Sequence, residues 1–562
     1  MVICQIKLNN KSTKINKNIL WKLNESVLEH QHVNEGIIKL CETIPSLIEK
    51  NKKLKNGWYD IFINKVCNFL KHESRIINNN KKQEMNECFN RLKEMDSMSE
   101  IKDMNAKKNE VREKIYKHFE TIRLGNEKRM RNERLKFIKQ PPKVLMQQER
   151  KNNASCIINN YETSEGVKTN ELEKIKEDVF NFYNNLLGID RISDETINNY
   201  EFNIKSMNVD ECVKNLINNE ISVDEVERVI KKMKESAPGN TGLTIGFYKK
   251  YFKYFGKYFV EILNSEDELP LLFKESIVKL IPKNNNDVKT INDLRPISLT
   301  NMDYRIYTKV LANRLRIIAD KIIGDHQTCS IKGRRIMDNL NLIRDVISES
   351  DYTGFELFIL SVDQSKAFDR ISHKYLFKLL EHINFGDFIL RGIKRMYDNS
   401  CAKIVVNNTL CEEIKIESGL KQGCALSMLL YIMCIEELIV RIKKNTHIKG
   451  YILNTTNKHE CKAGGYADDI AGLLTNYECI EPFFNEFKEW GRVSSAILNV
   501  EKTKILALNS KYKEFKGIKF INTLKILGIE FNNKGVTINK LYQVSVKHLD
   551  LGLSLNYNKT FF

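Results

Sequence analysis

Proline is scarce in this chain, with 8 among 562 residues, so long disordered linkers are not expected. The 13 cysteines are scattered and odd in number, and no pair is spaced C-x-x-C. That pattern excludes a disulfide framework and a zinc knuckle and suits a reducing intracellular setting, cytoplasm or nucleus. No basic-then-apolar signal segment opens the chain. The most apolar stretch, Leu426 to Val440, is short and contains Glu436 and Glu437, so no membrane span is expected. No internal repeat is found.

What is present is a folded composition, 42% hydrophobic and 29% charged, long enough for three or four domains or one multi-lobed enzyme. The formal net charge of +18 calls for a polyanionic partner, and nucleic acid is the default candidate. Residues 101–150 hold 15 Lys/Arg against 7 Asp/Glu, so part of the excess lies in one basic helix or solvated helical face.

Helical periodicity dominates to about residue 160. Leu20, Leu23, Val27 and Leu28 recur at helical spacing, as do Phe62, Val66, Phe69 and Leu70. The basic helix is expected to stop near Gln140-Pro141-Pro142. A hairpin or loop over 153–166 precedes amphipathic helices over 170–187 and 221–235, the second broken by the Pro/Gly loop of residues 236–242. From about residue 270 short strands and helices alternate. Strands are expected over 276–282, 357–362 and 402–407, and helices over 304–323, 374–383 and 388–397.

The chemistry-bearing signal is Tyr466-Ala467-Asp468-Asp469, two adjacent carboxylates at a tight turn between apolar runs. Read alone it is the composition of a solvated turn. Asp363 changes that reading, because the β-rich run Leu357–Val362 delivers it at a strand end 105 residues earlier. Three carboxylates converging from neighbouring strands suit two magnesium ions about 3.5–4 Å apart. Between them, residues 418–427 form a glycine-containing loop whose small residues admit a base pair and whose Gln422 can hydrogen-bond it.

These blocks resemble the reverse transcriptases of non-LTR (LINE-type) retrotransposons. Residues 362–370 are similar to that family's first catalytic block, 422–427 to its nucleotide-pocket block, and 466–469 to its second catalytic block. Residues 293–299 and 311–315 resemble a fingers block and the helix after it, 498–504 the lysine block, and 527–529 the primer-grip block. Trp21-Lys22-Leu23-Asn24 looks like the linker that follows the family's endonuclease.

The resemblance implies an α+β right-hand polymerase. Its parts would be a basic helical extension (1–160), a helical connector with the start of the fingers (161–262), fingers and palm (263–531) and a partial thumb (532–562). It implies an RNA-directed DNA polymerase, with Asp363, Asp468 and Asp469 as catalytic metal ligands for two Mg2+ (Mn2+ as the alternative), Asp469 least directly. Phe368 would be a steric gate against a 2′-hydroxyl, or an ordinary core aromatic. Lys283 and Arg295 would grip the triphosphate, or form surface ion pairs. Gln422 and Gly423 would line the nucleotide pocket. Lys502 would protonate pyrophosphate, or stand solvated. Leu527, Gly528 and Ile529 would press the primer end. The implied partners are an RNA template, a DNA primer or target, and dNTPs; protein partners are left undefined.

Several positions depart from the family pattern: Thr241, Ser330, Lys332, Ala425, Met428, and the Gly464-Gly465 pair where bulky strand residues are usual. The sequence before Trp21 is short for an endonuclease, and little follows the primer-grip block, so target nicking in cis is not expected and poor processivity is. Two competing readings are a silent nucleic-acid-binding remnant of such an element, and a telomerase-like or intron-maturase polymerase.

Overall fold

The computed structural model describes residues 20–97, 104–130, 158, 160–206, 211–283, 288–452 and 460–536. The N-terminal part is helical, with α1 (Gln31–Glu42), α2 (Trp58–Ser97) and α3 (Met104–Met130). Phe62, Val66 and Leu70 recur every fourth residue on α2 and are fully buried. The expected end of the basic helix at Pro141 and Pro142 lies outside the described residues. A short hairpin, β1 (Tyr161–Glu162) and β2 (Lys168–Thr169), leads into α4 (Leu172–Leu187), α5 (Val223–Lys232) and α6 (Ile245–Asn264). α5 is shorter than expected: Ser222 caps it by accepting from the Glu225 N–H at 3.2 Å, and Met233 turns to extended backbone.

The N-terminal helices share a core with α6. Phe62 packs on Phe255 and Tyr59 on Phe259, with ring centroids 5.8 and 5.9 Å apart. Truncating a buried ring such as Phe62 to alanine costs about 3–5 kcal/mol. Within this core Asp303 is fully buried and accepts from Tyr59 Oη at 2.6 Å and Tyr248 Oη at 2.5 Å. Burial raises its carboxyl pKa, against the two phenol hydrogen bonds.

A first sheet follows. β3 (Glu275–Pro282) pairs antiparallel with β4 (Leu294–Thr300), and α7 (Met302–Leu315) and α8 (Ile336–Thr353) come next. The single helix expected over 304–323 is broken: α7 stops at Leu315, and a separate turn of helix covers Ala319–Ile322. β-Branched Ile317 and Ile318 occupy the break, and Ile318 turns inward to full burial while Ile317 stays exposed.

β5 (Leu357–Gln364), α9 (Ala367–Arg370), α10 (His373–Ile383), α11 (Asp387–Tyr397), β6 (Cys401–Val406) and β7 (Thr409–Lys415) continue the chain. β6 joins β3 in parallel, giving the order β4-β3-β6-β7. Then come α12 (Ser427–Lys444), β8 (Tyr451–Ile452), β9 (Glu460–Cys461), β10 (Ala463–Tyr466), β11 (Asp469–Leu474), α13 (Ile480–Ser494) and β12 (Leu498–Leu508). The last elements are β13 (Glu514–Phe515), β14 (Ile518–Ile521), β15 (Thr523–Ile526), β16 (Ile529–Asn532) and β17 (Gly535–Val536). Of the expected partial thumb, residues 537–562 lie outside the described residues.

The six-stranded sheet runs β10-β11-β5-β12-β14-β13, so β5 is central and antiparallel to both neighbours. Its side chains alternate between two cores. Phe358, Leu360 and Val362 face the core that contains α12, and Leu357 and Ile359 face the one under α8. Both faces are therefore covered, which explains the nearly unbroken apolar run.

Glu436 and Glu437 do not interrupt α12 as solvated charges; both are buried. Glu437 accepts from the backbone N–H groups of Asn203 and Ile204, each at 2.8 Å. Glu436 accepts from Gly324 N–H at 3.1 Å and lies 3.1 Å from His326 Nε2. The helix thus holds segment 324–328 in place. Among the described residues no helix is long and apolar enough to cross a membrane.

Candidate active site

The sheet register brings the carboxylates together. β10 and β11 form a hairpin in which Tyr466 pairs with Asp469, leaving Ala467 and Asp468 at the turn. β11 pairs with β5 through Ile470 opposite Val362, one position before Asp363. On the other side of β5, Asn499 of β12 lies opposite Asp363. Asp363 and Asp468 are half-buried, and Asp469 is exposed.

The charge of Asp363 reaches both Asp468 and Asp469. Desolvation raises the Asp468 pKa, nearby Asp363 adds to the rise, and Arg295 opposes it. Desolvation and the charges of Asp468 and Asp363 raise Asp469 to about 6. Although Asp469 is exposed as a residue, its carboxyl is crowded enough for desolvation to lead. Among the described residues no group of three His, Cys, Asp or Glu is disposed to hold a metal ion on its own. The donor chemistry still fits magnesium, which takes hard oxygens from one or two carboxylates and completes its shell with water and phosphate. A cation there would offset the desolvation and repulsion that raise Asp468 and Asp469.

Opposite them stand the predicted cations. Lys283 follows β3, and its N–H donates to Asp293 O at 2.8 Å. Arg295 lies on the paired strand, opposite Ile281. Burial, then Lys502 and Arg295, lower the Lys283 amine pKa, while Asp293 and Asp363 counteract. Lys502 sits where the β12 register breaks between Asn499 and Lys504, and its Nζ is 3.8 Å from Asp363 Oδ2. A bulge at this point frees an exposed lysine from the ladder and turns it toward the carboxylate.

Phe368 is half-buried and stacks on Tyr431, centroids 4.4 Å apart and planes 22° apart. Tyr431 Oη is in turn 3.2 Å from Gln364 Oε1. The ring is therefore fixed in direction.

Gln422 differs from expectation. Its backbone oxygen accepts from Ser298 N–H at 3.0 Å, and its side-chain Nε2 donates to Asp369 Oδ1 at 2.9 Å rather than standing free for a base pair. The fully buried Asp369 carboxyl is raised to about 6 by desolvation, with Gln422 and nearby Lys366 lowering it. Gly423 takes φ +99°, with its missing Cβ 3.4 Å from Ser298 O, so the loop lies directly on β4. Leu527 and Gly528 form the β15–β16 turn, with Ile529 opening β16. A narrow cleft lined by Asn339, Tyr466, Asp469 and Leu527 separates that turn from the carboxylates.

Residues outside the expected set hold the turn from behind. Ala467 has φ +56°, and the fully buried Gln327 side chain grips it on both sides. Gln327 Oε1 accepts from Ala467 N–H at 3.0 Å, and Gln327 Nε2 donates to Ala467 O at 3.3 Å. Gly465 N–H donates to His326 O at 2.8 Å, while Gly465 O accepts from Thr328 N–H and from Asn339 Nδ2. A Cβ on Gly465 would lie 3.0 Å from Gln327 Nε2, whereas one on Gly464 would meet nothing nearer than 3.7 Å. The glycine at 465 admits the clamp. Nothing in the local pattern around Gln327 announces this role, since its partner is 140 residues away.

A mixed sheet thus presents paired carboxylates at a hairpin tip, with Lys502 and Arg295 acting on them. Residues 281–531 match the family described as reverse transcriptase (RNA-dependent DNA polymerase). It is 30% identical over 355 residues to the Transposon TX1 uncharacterized 149 kDa protein of Xenopus laevis, covering 62% of this chain and 27% of that protein. It is 25% identical over 284 residues to the retrovirus-related Pol polyprotein from type-1 retrotransposable element R2 of Popillia japonica, covering 50% of this chain and 39% of that protein. The chain thus spans well under half the length of these curated relatives. Among solved structures, apo telomerase from Candida tropicalis, truncated from its C-terminal domain, aligns at TM-score 0.35 and 14% identity, over 54% of this chain and 63% of that one. A likeness that low adds no argument.

Proposed function

We propose that this chain is an RNA-directed DNA polymerase that extends a DNA primer, or a nicked DNA target, on an RNA template with dNTPs. The observation that supports this most is the register that sets Asp363, Asp468 and Asp469 at the same end of the paired strands β5, β10 and β11 inside the region that matches reverse transcriptases. In this reading the β4-β3-β6-β7 sheet belongs to the fingers and the six-stranded sheet to the palm.

Asp363, Asp468 and Asp469 are the residues that would hold Mg2+ or Mn2+, which when bound acidifies the primer hydroxyl and neutralises the leaving pyrophosphate. In the reaction the primer 3′-oxygen bonds the α-phosphorus of the dNTP, and the α–β phosphoanhydride bond breaks. Lys283 and Arg295 receive the triphosphate charge; both stand close enough to the carboxylates to alter protonation around them. Lys502, an exposed amine beside Asp363, can give its proton to the departing pyrophosphate. The stacked Phe368 ring stands against a ribose 2′-hydroxyl. Gln422 supports the pocket through Asp369, and the Leu527–Gly528 turn presses the primer end.

Primer extension on an RNA template in magnesium, comparing wild type with Asp468→Ala, tests the reading. Incorporation by the wild type and background signal from a folded Asp468→Ala variant are expected. Equal signal from both would sink it. Salt-sensitive RNA binding without any dNTP incorporation would favour a silent binding remnant instead.

A further inference from the structure

Lys421 lies in the loop of residues 418–427 and is 5% exposed, so its amine is out of water. Lysine is almost never fully buried unless paired. The ionisable groups that bear on this one are the thiols of Cys424 and Cys401, with no carboxylate among them. Instead Nζ donates to Lys274 O at 3.1 Å and stands over the Tyr304 ring of α7, 4.7 Å from its centroid. Burial lowers the amine to about 8. A methionine would fill the same space without that cost, so stability alone does not call for an amine here.

The bond joins segments 147 residues apart. Lys274 immediately precedes β3 and is held firmly. Its own amine pairs with Glu268 Oε2 at 3.0 Å, and the Leu271 and Leu272 N–H groups donate to Asp60 of α2 at 2.9 and 3.1 Å. The Lys274 carbonyl is therefore a fixed point, set in part by the N-terminal helices.

On the loop side, Lys421 O accepts from Cys424 N–H at 3.2 Å and from Ser427 Oγ at 2.9 Å, at the start of α12. The residues before it are bonded to the catalytic block. Gly419 N–H donates to Ile371 O and Leu420 N–H to Phe368 O, each at 2.7 Å. The residue after it is bonded to β4, where Ser298 N–H donates to Gln422 O. Lys421 thus adds a side-chain tie where the loop crosses from the catalytic block to the β3–β4 hairpin. The other end of that hairpin carries Lys283 and Arg295.

We propose that Lys421 is a positioning residue for the incoming nucleotide. By tying the pocket loop to the root of β3, it sets where Gln422 and Gly423 stand relative to the strands that present Lys283 and Arg295. This role rests on the polymerase reading, with Lys421 acting through the loop and touching no substrate.

Single-nucleotide incorporation on an RNA template tests it, beside equilibrium binding of the matched dNTP to the protein on a dideoxy-terminated primer–template. Lys421→Met should raise the dNTP KM and Kd about tenfold, hold kcat within about threefold, and leave thermal stability nearly unchanged. Tyr304→Leu, which removes the ring and keeps the amine, should raise both constants about threefold. Unchanged dNTP affinity in folded Lys421→Met would overturn the proposal. So would a fall in kcat alone, or a loss that only tracks the folded fraction. Should Lys421→Met not fold, Tyr304→Leu decides by the same measure. A wild type that binds dNTP and incorporates none would sink the polymerase reading and leave Lys421 to be judged on binding. A wild type that binds no dNTP would sink both.

Discussion

The two hairpin turns that flank the narrow cleft, β10–β11 and β15–β16, solve the same backbone problem in different ways. Each carries a non-glycine residue in the left-handed region, Ala467 at φ +56° and Leu527 at φ +50°. Such a residue costs roughly 1–2 kcal/mol. At the first turn a fully buried glutamine takes both backbone groups of Ala467, and a Thr328/Asn339 pair secures Gly465. At the second, Gly528 takes φ +86°, and a Cβ there would meet nothing within 4 Å. A turn that carries mutually repelling carboxylates must be prevented from retreating. A turn that only presents backbone can rely on glycine.

The largest effect on this contrast is expected from Gln327→Met, which keeps the volume and removes both hydrogen bonds. Misplacing Asp468 by a fraction of an ångström should lower kcat on the order of 10²-fold with little change in KM for dNTP. A proportional loss of folded protein and unchanged kcat would make Gln327 merely structural. Gln327→Glu sharpens the point. A protonated glutamate can donate to Ala467 O as the amide does, and an ionised one cannot. Burial beside the aspartates raises its pKa, so activity relative to wild type should be highest at low pH and fall as pH rises. A flat ratio across pH would argue against the clamp.

Gly465→Ala should be next, destabilising by about 1–3 kcal/mol because the Cβ meets Gln327 Nε2 at 3.0 Å and Ile439 at 3.4 Å. At the opposite turn, Gly528→Ala has open space and strained φ, so thermal or chemical denaturation should show about 1 kcal/mol lost with the carboxylate centre intact. Gly464→Ala should shift stability by less than about 0.5 kcal/mol, since nothing crowds its Cβ. Equal costs at 464 and 465 would show that strand propensity, not the approach of Gln327, sets the need for glycine.

Much of this site was legible in the sequence because its parts obey local rules. The apolar run ending at Asp363 reads as a strand covered on both faces, and the Asp468-Asp469 pair reads as a turn. The order of the blocks around them carried the resemblance. What stayed hidden depends on long-range pairing. Gln327, the Gln422–Asp369 hydrogen bond and the burial of Glu436 and Glu437 each join residues about 50 to more than 200 positions apart. Gly464 and Gly465 looked alike as weak strand residues, and only the neighbour across from 465 separates them. The expected helix over 304–323 failed where burial of Ile318 outweighed continuing helical spacing.

The central claim of the proposed function is that Asp363, Asp468 and Asp469 would together hold a divalent cation. Iron(II) substituted for magnesium, with ascorbate and peroxide, cleaves backbone close to the bound ion. The account predicts cuts beside Asp363 and beside Asp468, suppressed by excess Mg2+ and absent from Asp468→Ala. Cleavage at neither position in the wild type, or cuts that persist unchanged in Asp468→Ala, would contradict it.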